Sequence, residues 1–138
     1  MVALHTIEQD HAGLISALAR EGLPGPGAGC YFGAEHNGAV VGYVGLEGEG
    51  LNLLLRSLVV LQEQKARGLG RRVLAAAETV ARELGAERLH LLTTTAEPFF
   101  TRNGYRAADR KSAPPAIRQT REFASLCPAG ASYLTKDL

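Results

Sequence analysis

The chain has 138 residues, of which 46% are hydrophobic, and its 15 Lys and Arg nearly balance its 14 Asp and Glu. This length suits one domain, residues 1–138, and the composition excludes an intrinsically disordered chain. The near-neutral charge removes any global attraction to nucleic acid or acidic membranes, and no apolar run reaches transmembrane length. Since the N-terminus also lacks the pattern of a secretory signal, we expect a cytoplasmic protein without either partner.

The first half of the chain predicts a strand, a helix and then a meander of antiparallel strands. Asp10 is the expected N-cap of the helix, because Leu14, Ile15 and Leu18 follow it at helical spacing. The pair Asn37-Gly38 between two strand-like runs is a strong hairpin signal. The predicted strands cover residues 2–8, 30–35, 39–46 and 51–61, and a loop rich in Gly and Pro covers 22–29. The last strand is dense enough in apolar residues to lie in the centre of a sheet, covered on both faces.

The second half begins with a helical pattern over residues 70–84, in which Val73, Ala77 and Val80 share one face and Gly85 is a natural stop. Residues 88–94 predict a strand parallel to the preceding one. The remaining predicted elements are a helix at 97–102, a strand at 104–110, a helix at 114–126 and a strand at 131–136. The expected fold is therefore α+β (mixed α/β), with one mostly antiparallel, twisted sheet and helices on both faces.

Cysteine and histidine usage argues against a metal centre. Cys30 and Cys127 lie far apart and outside any CxxC spacing, so we expect free, buried thiols. The four histidines show no short metal-ligand spacing. His90, inside an apolar strand, is expected to be a hydrogen-bonded core residue.

The stretch KARGLGRRVL, residues 65–74, places two glycines and three arginines at the start of the second helix. Helix N-termini carry unpaired N–H groups and a partial positive charge, and glycines let a phosphate approach the main chain. The pattern therefore predicts a polyphosphate site, the alternative being glycines that merely form a turn. A Walker A loop is absent, and Val73 occupies the third glycine position of a dinucleotide fingerprint.

Two segments resemble the acetyl-CoA-binding elements of a known family. Residues 60–70, VLQEQKARGLG, look like the pattern Gln/Arg-x-x-Gly-x-Gly/Ala after a central strand. Residues 96–105, AEPFFTRNGY, are similar to the segment Ala-x-x-x-Tyr-x-x-x-Gly-Phe. On these motifs the chain resembles the GNAT family, the GCN5-related N-acetyltransferases, over nearly its whole length. Residues 55–60, 91–96, 113–114, 120–123 and 126–128 look more narrowly like its arsenic-resistance N-acetyltransferase-like subgroup.

The resemblance implies a GNAT-like fold in which the central strand splays from its parallel neighbour and acetyl-CoA enters the gap. A main-chain N–H near Val59 or Val60 would polarise the thioester carbonyl, and such a donor is typically worth about 3 kcal/mol of the barrier. The residues implied to hold the cofactor are Leu58, Val59, Val60, Lys65, Arg67, Gly68, Leu69, Gly70, Arg71, Arg72, Thr93 and Phe100.

Three positions depart from the family pattern. Lys65 occupies the Gln/Arg position of the motif, and Thr93 replaces an Asn that is common near the cofactor. Phe100 stands where the family usually has a general-acid tyrosine, and phenylalanine cannot protonate a leaving thiolate. Tyr105, which follows Gly104, is expected to pack in the core rather than to replace that acid.

The acceptor site is expected near Arg56, which interrupts the apolar central strand. A buried arginine is costly without an acidic partner or ligand, so we favour a grip on an anionic group over a structural ion pair. Ser57, Thr95 and Arg110 are further candidates for the acceptor pocket. The subgroup resemblance implies a small amino compound such as an arsenic- or phosphorus-containing amino acid, and hence a role in resistance or detoxification.

The catalytic candidates are Val60, through its main chain, Ser57 and Glu97. Glu97, like Glu47 and Glu49, is a carboxylate that water could connect to the amine. An α-amino group has an appreciable neutral fraction at pH 7, so a strong base is less necessary for an amino-acid-like acceptor.

Two alternatives come from other functional classes. Phe100 favours a non-catalytic acyl-CoA-binding sensor or partner-binding module. A metal-dependent resistance enzyme of the glyoxalase type would need paired βαβββ repeats and a His/Glu ligand set, and the sequence carries neither. The C-terminal helix and strand are the expected surface if the chain forms a homodimer.

Overall fold

A computed structural model of the chain describes residues 2–61, 68–126 and 130–138, without the side chains of residues 125 and 126. The predictions made for Lys65, Arg67 and Cys127 lie outside the described residues. Over the described ranges, no helix is long and apolar enough to cross a membrane.

Seven strands form one sheet in the order β1-β2-β3-β4-β5-β7-β6. Neighbouring strands run antiparallel except β4 and β5, which are parallel. The strands are β1 (Val2–Ile7), β2 (Cys30–His36), β3 (Ala39–Glu47), β4 (Asn52–Val60), β5 (Arg88–Thr93), β6 (Arg106–Ala107) and β7 (Ser132–Asp137).

In the described part of the chain, four α-helices, a 3₁₀ turn and a π-helical segment connect the strands. The helices are α1 (Ala12–Arg20), α2 (Leu69–Glu83), α3 (Glu97–Arg102) and α4 (Pro115–Arg118). The 3₁₀ turn covers Arg110–Ser112, and the π-helical segment covers Glu122–Leu126.

Helices cover both faces of the sheet, as the sequence predicted. The apolar side of α2 packs in one cluster with Phe32 and Val44, whereas α1 packs in another with Tyr31 and Tyr43. Since consecutive residues of a strand point to opposite faces, these two clusters lie on opposite sides of the sheet. The mixed α/β fold with a mostly antiparallel sheet is therefore confirmed.

The parallel strands β4 and β5 separate along their length. They pair only where Asn52, Leu53 and Leu54 face Arg88, Leu89 and His90. Beyond Leu54, β4 pairs with β3 alone, and β5 pairs with β7. The splayed pair implied by the family resemblance is confirmed, and it leaves an opening between the two central strands of the sheet.

Local turn signals were reliable. Asn37 and Gly38 have φ values of 55° and 79°, the left-handed pair that a two-residue hairpin turn requires. Gly85 ends α2 with φ 97°.

Three local predictions were wrong. The N-cap of α1 is His11, whose Nδ1 accepts from Leu14 N at 3.3 Å, rather than Asp10. The strand predicted at residues 104–110 covers only Arg106–Ala107. Asp109, two residues further on, caps the 3₁₀ turn by accepting a hydrogen bond from Lys111 N. The helix predicted at 114–126 is interrupted, because Thr120 Oγ1 donates to Ile117 O at 2.7 Å and accepts from Phe123 N at 3.4 Å.

His90 is a core residue, as predicted. It is fully buried, and its ring nitrogens lie 2.7 Å from Tyr133 Oη and 2.8 Å from Asn52 Oδ1. Burial, reinforced by the positive charge of Arg88, lowers the pKa of His90 from 6.5 to about 4. Cys30 is free but exposed, so its predicted burial was wrong.

Candidate active site

A bulge in β4 shapes the opening beside β5. Tyr43 pairs with Val59 and Gly45 pairs with Arg56, so that Ser57 and Leu58 together lie opposite one residue of β3. Ser57 has φ 59°, a left-handed conformation that costs a non-glycine residue on the order of 1 kcal/mol. Bulges redirect side chains and are frequent beside active sites.

One cavity, which we call the helix-side cleft, lies between the end of β4, the start of α2 and α3, and has a volume of about 770 Å³. Its lining is mostly apolar, with two arginines and two glycines. The lining residues are Leu58, Val60, Gly68, Gly70, Arg71, Ala96, Phe99, Phe100, Arg102 and Asn103.

The start of α2 is suited to an anion. Gly68 precedes the helix with φ 70°, and no described atom lies within 4 Å of where its Cβ would be. A polyphosphate could therefore approach the main chain at the N-terminus of a 15-residue helix, where unpaired N–H groups and the helix dipole favour negative charge. Arg71 lines the cleft beside these N–H groups, and Arg72 is exposed next to it. Leu69 is 1% exposed, so its side chain anchors the helix in the core.

The predicted cofactor residues do not all face this cleft. Leu58, Val60, Gly68, Gly70, Arg71 and Phe100 line it together. The side chain of Val59 is buried on the other face of the sheet, in the cluster with Tyr43 and α1, so only its main chain is available. Thr93 faces the second cavity, and its Oγ1 accepts from Ala96 N at 3.0 Å.

The second cavity, which we call the loop-side cleft, has a volume of about 630 Å³. It shares Leu58, Ala96 and Phe100 with the helix-side cleft, so the two cavities meet at the opening between β4 and β5. Its other lining residues are Glu21, Gly22, Leu23, Pro24, Leu55, Arg56, Ser57, Leu91, Leu92, Thr93, Thr94, Thr95 and Glu122.

Arg56 is buried between two carboxylates. Its Nη1 donates to Glu47 Oε1 at 2.8 Å, its Nε lies 3.3 Å from Glu122 Oε2, and its Nη2 donates to Gly25 O at 3.3 Å. The structural ion pair, which the sequence analysis weighed as the alternative to a grip on an anionic ligand, is therefore present. Arg56 still lines the loop-side cleft, and its role in acceptor binding stays a prediction.

The remaining candidates divide into two groups. Ser57 and Thr95 line the loop-side cleft, as an acceptor role requires. Glu97 and Arg110 are not among the described residues that line either cleft. Glu97 Oε1 accepts from Ser132 Oγ at 2.5 Å, and the Arg110 guanidinium lies 5.5 Å from the centre of the Phe123 ring.

At the position where the family usually has a tyrosine, this chain has an apolar residue in the wall of both clefts. Phe100 is 6% exposed and lines both clefts. Tyr105 is 1% exposed, and its hydroxyl donates to Glu78 Oε2 at 2.9 Å. Burial and the neighbouring Glu78 carboxylate raise the pKa of Tyr105. The prediction that Tyr105 packs in the core is confirmed.

The sequence analysis missed Glu122 as a site residue. This glutamate is 6% exposed, lines the loop-side cleft and belongs to the π-helical segment. It lies in the segment TREF, residues 120–123, which was noted only for its resemblance to the subgroup. An acidic residue next to a core phenylalanine was the available signal.

A bulged central strand, a parallel neighbour that splays from it and a glycine-started helix at the opening define an acyltransferase-like domain. Residues 27–107 match the sequence model of an acetyltransferase (GNAT) domain. The match covers more than half of the chain, which therefore belongs to the GNAT family.

Known proteins of similar sequence or structure agree with this assignment. The uncharacterized N-acetyltransferase CT2212 of Chlorobaculum tepidum is 33% identical over 88 residues, which are 63% of this chain and 56% of that protein. N-acetylglutamate synthase from Neisseria gonorrhoeae, complexed with coenzyme A and N-acetyl-glutamate, superimposes with a TM-score of 0.79 at 23% identity over 100% of this chain and 35% of its own.

Rv2747 from Mycobacterium tuberculosis, in complex with CoA and NLQ, gives a TM-score of 0.73 at 18% identity over 99% of both chains. At such low identity these two structures establish the fold alone. The matched region spans little more than half of the curated relative's length.

Proposed function

We propose that this protein is an acetyl-CoA-dependent N-acetyltransferase that acts on the amine of a small molecule. The observation that carries the proposal is the meeting of two clefts at Leu58, Ala96 and Phe100, in the opening between β4 and β5. Two reactants that enter from opposite sides of a sheet can come into contact at such an opening. Family membership and the CoA complexes of similar folds support the same conclusion.

The helix-side cleft fits coenzyme A. Its polyphosphate would lie against the main chain from Gly68 to Arg72, where Gly68 leaves the backbone uncovered and Arg71 supplies positive charge. The residues from Leu58 to Val60 would lie along the pantetheine arm. When bound, acetyl-CoA would supply the acetyl group as a thioester. Val60 would contribute through its main-chain N–H, which polarises a carbonyl oxygen without needing a particular side chain.

Ser57 is one of the two residues of the β4 bulge, and it lines the loop-side cleft. Phe100 occupies the position of the family's usual tyrosine, and its side chain has no proton to donate to the leaving thiolate. Catalytic roles for Ser57 and Glu97 remain part of the proposal. Ser57 is favoured of the two, since Glu97 is hydrogen-bonded to Ser132 and lies outside the described lining of both clefts.

We infer that the acceptor is a small amino-acid-like compound with an anionic group. The N-acetyl-glutamate bound to a synthase of similar fold supports this class. The narrower choice of an arsenic- or phosphorus-containing amino acid, and with it a resistance or detoxification role, depends on the subgroup resemblance. A cytoplasmic location, a homodimer and the absence of nucleic-acid and membrane partners are likewise retained from the sequence.

The alternative function is a non-catalytic acyl-CoA-binding module, which Phe100 in place of the general acid favours. Such a module would bind acetyl-CoA in the helix-side cleft as an enzyme does, but it would not release free CoA in the presence of an amine. Binding and turnover must therefore be measured separately.

Calorimetric titration of acetyl-CoA into the wild type and Gly68→Glu tests the cofactor site. Micromolar binding is expected for the wild type, and its loss in Gly68→Glu, because a carboxylate at Gly68 would repel the polyphosphate. Gly85→Glu is the matched control, since Gly85 also has a left-handed φ with no described atom near its Cβ position, but lies at the other end of α2. Equal binding by all three proteins would show that acetyl-CoA does not bind at the start of α2. No binding to the wild type would refute the proposal.

Release of free CoA then separates an enzyme from a sensor. The acceptors tested are L-glutamate, 2-amino-4-phosphonobutanoate and the cationic 1,4-diaminobutane. Turnover with either anionic amino acid and little with the diamine is the expected result. Preference for the diamine would contradict the acceptor class, and acetyl-CoA binding without turnover on a wider amine panel would favour the sensor.

A further inference from the structure

One wall of the loop-side cleft is a loop that belongs to no helix or strand. Residues 22–29, GLPGPGAG, contain four glycines and two prolines, and Gly22, Leu23 and Pro24 line the cleft. The start of the loop is tied to α1, because Leu23 N donates to Leu18 O at 3.0 Å. Glycine loses more conformational freedom on folding than other residues, so the rest of the loop is costly to hold in one place.

Two buried side chains hold the middle of this loop. Arg56 Nη2 donates to Gly25 O at 3.3 Å, and Gly27 N donates to the Tyr31 hydroxyl at 2.8 Å. Arg56 is 4% exposed and Tyr31 is 1% exposed. Within the described structure, these two are the hydrogen bonds of residues 24–28. The position of this wall therefore depends on side chains that come from the sheet.

The two side chains lie in one row across the sheet. Tyr31 in β2 pairs with Gly45 in β3, and Gly45 pairs with Arg56 in β4. A Cβ on Gly45 would lie 2.8 Å from Tyr31 Cε1 and 3.2 Å from Arg56 Cγ, so glycine leaves the space that both side chains use. Gly27 of the loop packs on the same group, since a Cβ there would lie 3.4 Å from Arg56 Nη1. The two glycines let the loop and the sheet approach closely.

The ion pairs of Arg56 belong to the same arrangement. Its guanidinium lies 2.8 Å from a Glu47 oxygen and 3.3 Å from a Glu122 oxygen, and these contacts fix its orientation. One nitrogen of the planar guanidinium serves Glu47 while another serves Gly25. The single nitrogen of a lysine is a compact point charge and does not reproduce this geometry.

We propose that Tyr31 and Arg56 are positioning residues that hold the loop of residues 22–29 in place as a wall of the acceptor site. The proposal rests on the acetyltransferase function proposed above. Tyr31 lines neither cleft in the described structure, so it acts on the acceptor only through the loop. An acceptor that binds beside a wall already in position does not have to order it, whereas a loosened loop would weaken acceptor binding.

Tyr31→Phe and Tyr43→Phe form a matched pair of variants. Both tyrosines belong to the buried cluster beneath α1, but in the described structure only Tyr31 is hydrogen-bonded to the loop. The measurements are KM and kcat at saturating acetyl-CoA, for the better acceptor of L-glutamate and 2-amino-4-phosphonobutanoate. Tyr31→Phe should raise the KM of the acceptor about fivefold, the factor that one net hydrogen bond allows. The kcat should stay the same, because the wall contributes to binding and not to the chemical step, and Tyr43→Phe should change neither quantity.

Hydrogen exchange at the Gly27 amide reports the anchored loop without any acceptor. Measured by NMR, exchange should be about fivefold faster in Tyr31→Phe than in the wild type, because the amide loses its hydrogen-bond acceptor. Arg56→Lys should also accelerate it, since the bond to Gly25 O is lost. Direct contact between Arg56 and an acceptor does not explain such a change, because no acceptor is present. Thermal melting curves show whether each variant is folded, and Tyr31→Phe alone carries the test if Arg56→Lys does not fold.

An unchanged KM in Tyr31→Phe, or an equal rise in Tyr43→Phe, would overturn the proposal. Unchanged exchange at Gly27 in Tyr31→Phe would do the same, and unchanged exchange in a folded Arg56→Lys would remove Arg56 from the anchor. Calorimetric affinity for acetyl-CoA should be equal in all these proteins, since the start of α2 lies outside the described lining of the loop-side cleft. Failure of the proposed function has a different signature. The wild type would then release no CoA with any acceptor, while exchange at Gly27 would still differ between the wild type and Tyr31→Phe.

Discussion

The hydroxyl of Tyr105 donates a hydrogen bond to Oε2 of the buried Glu78 over 2.9 Å. Lys136 Nζ lies 3.0 Å from the same carboxylate oxygen, which ties α2 to β7 through one buried acid. Phe100 packs edge-on against Tyr105 with 5.5 Å between the ring centroids. Neither aromatic residue therefore offers a proton to the clefts, the first because it has no hydroxyl and the second because its hydroxyl is directed to Glu78.

Phe100→Tyr should increase kcat for CoA release about tenfold, because it adds a proton donor to a residue that lines both clefts, and general acids contribute about 10²–10⁴-fold in enzymes. Steady-state kinetics at saturating acetyl-CoA would measure the effect. Phe99→Tyr is the control, since Phe99 lines the helix-side cleft alone. An equal gain in both variants, or none in Phe100→Tyr, would contradict the prediction that the lack of a general acid at residue 100 limits turnover.

Tyr105→Phe should reduce the free energy of unfolding by about 1–3 kcal/mol, because it leaves the buried Glu78 without one of its hydrogen-bond donors. Urea denaturation followed by circular dichroism would measure this change. The kcat should be unaffected, since Tyr105 lines neither cleft in the described structure. A large loss of kcat in a stably folded Tyr105→Phe would show that its hydroxyl takes part in catalysis.

Ser57→Val should destabilise the protein by about 1–3 kcal/mol, because a β-branched residue tolerates the left-handed φ of the β4 bulge poorly. Ser57→Gly should leave stability within about 1 kcal/mol of the wild type, since glycine adopts this conformation freely but loses more entropy on folding. The midpoints of urea unfolding compare the two. If valine were as well tolerated as glycine, the bulge would not be strained at Ser57.

Burial of His90 should make the protein less stable in acid. Its folded pKa of about 4 lies below the unfolded value of 6.5, so the unfolded state binds more protons between these values. The contribution of neutral His90 to stability is complete above pH 6.5 and declines as the pH falls, by up to about 3 kcal/mol near pH 4.

Two measurements check this prediction. Urea unfolding at several pH values gives the slope of stability against pH, and the ¹⁵N chemical shifts of the His90 ring give its protonation state directly. The ring should remain neutral at pH 5.5. A ring that titrates near pH 6.5 in the folded protein would contradict the prediction.

The sheet was predictable because its signals are local. Alternation and apolar density identified β2, β3 and β4 to within two residues, and the Asn37-Gly38 turn set the hairpin between β2 and β3. Gly68 likewise indicated an unusual start of α2, because glycine adopts the left-handed region without steric cost. In the structure Gly68 precedes the helix in that conformation.

The segment after residue 104 was less predictable, because tertiary contacts and competing side-chain hydrogen bonds decide it. Thr120 bonds to the backbone of Ile117 and Phe123 and interrupts a helix that the apolar spacing favours. The same interruption brings Glu122 to the cleft wall. A pattern of apolar residues contains no information about such competition.

By itself, the sequence determined the order and type of most elements, the position of the glycine-started helix and the family to which the chain belongs, because these depend on neighbouring residues and on motifs of fixed spacing. Only the tertiary structure decided which charges meet. Arg56 was recognisable as an anomaly in an apolar strand, but its partners come from the end of β3 and from a segment near the C-terminus. Such contacts arise from how strands and helices pack around the β4 bulge, so they appear only when the whole chain is folded.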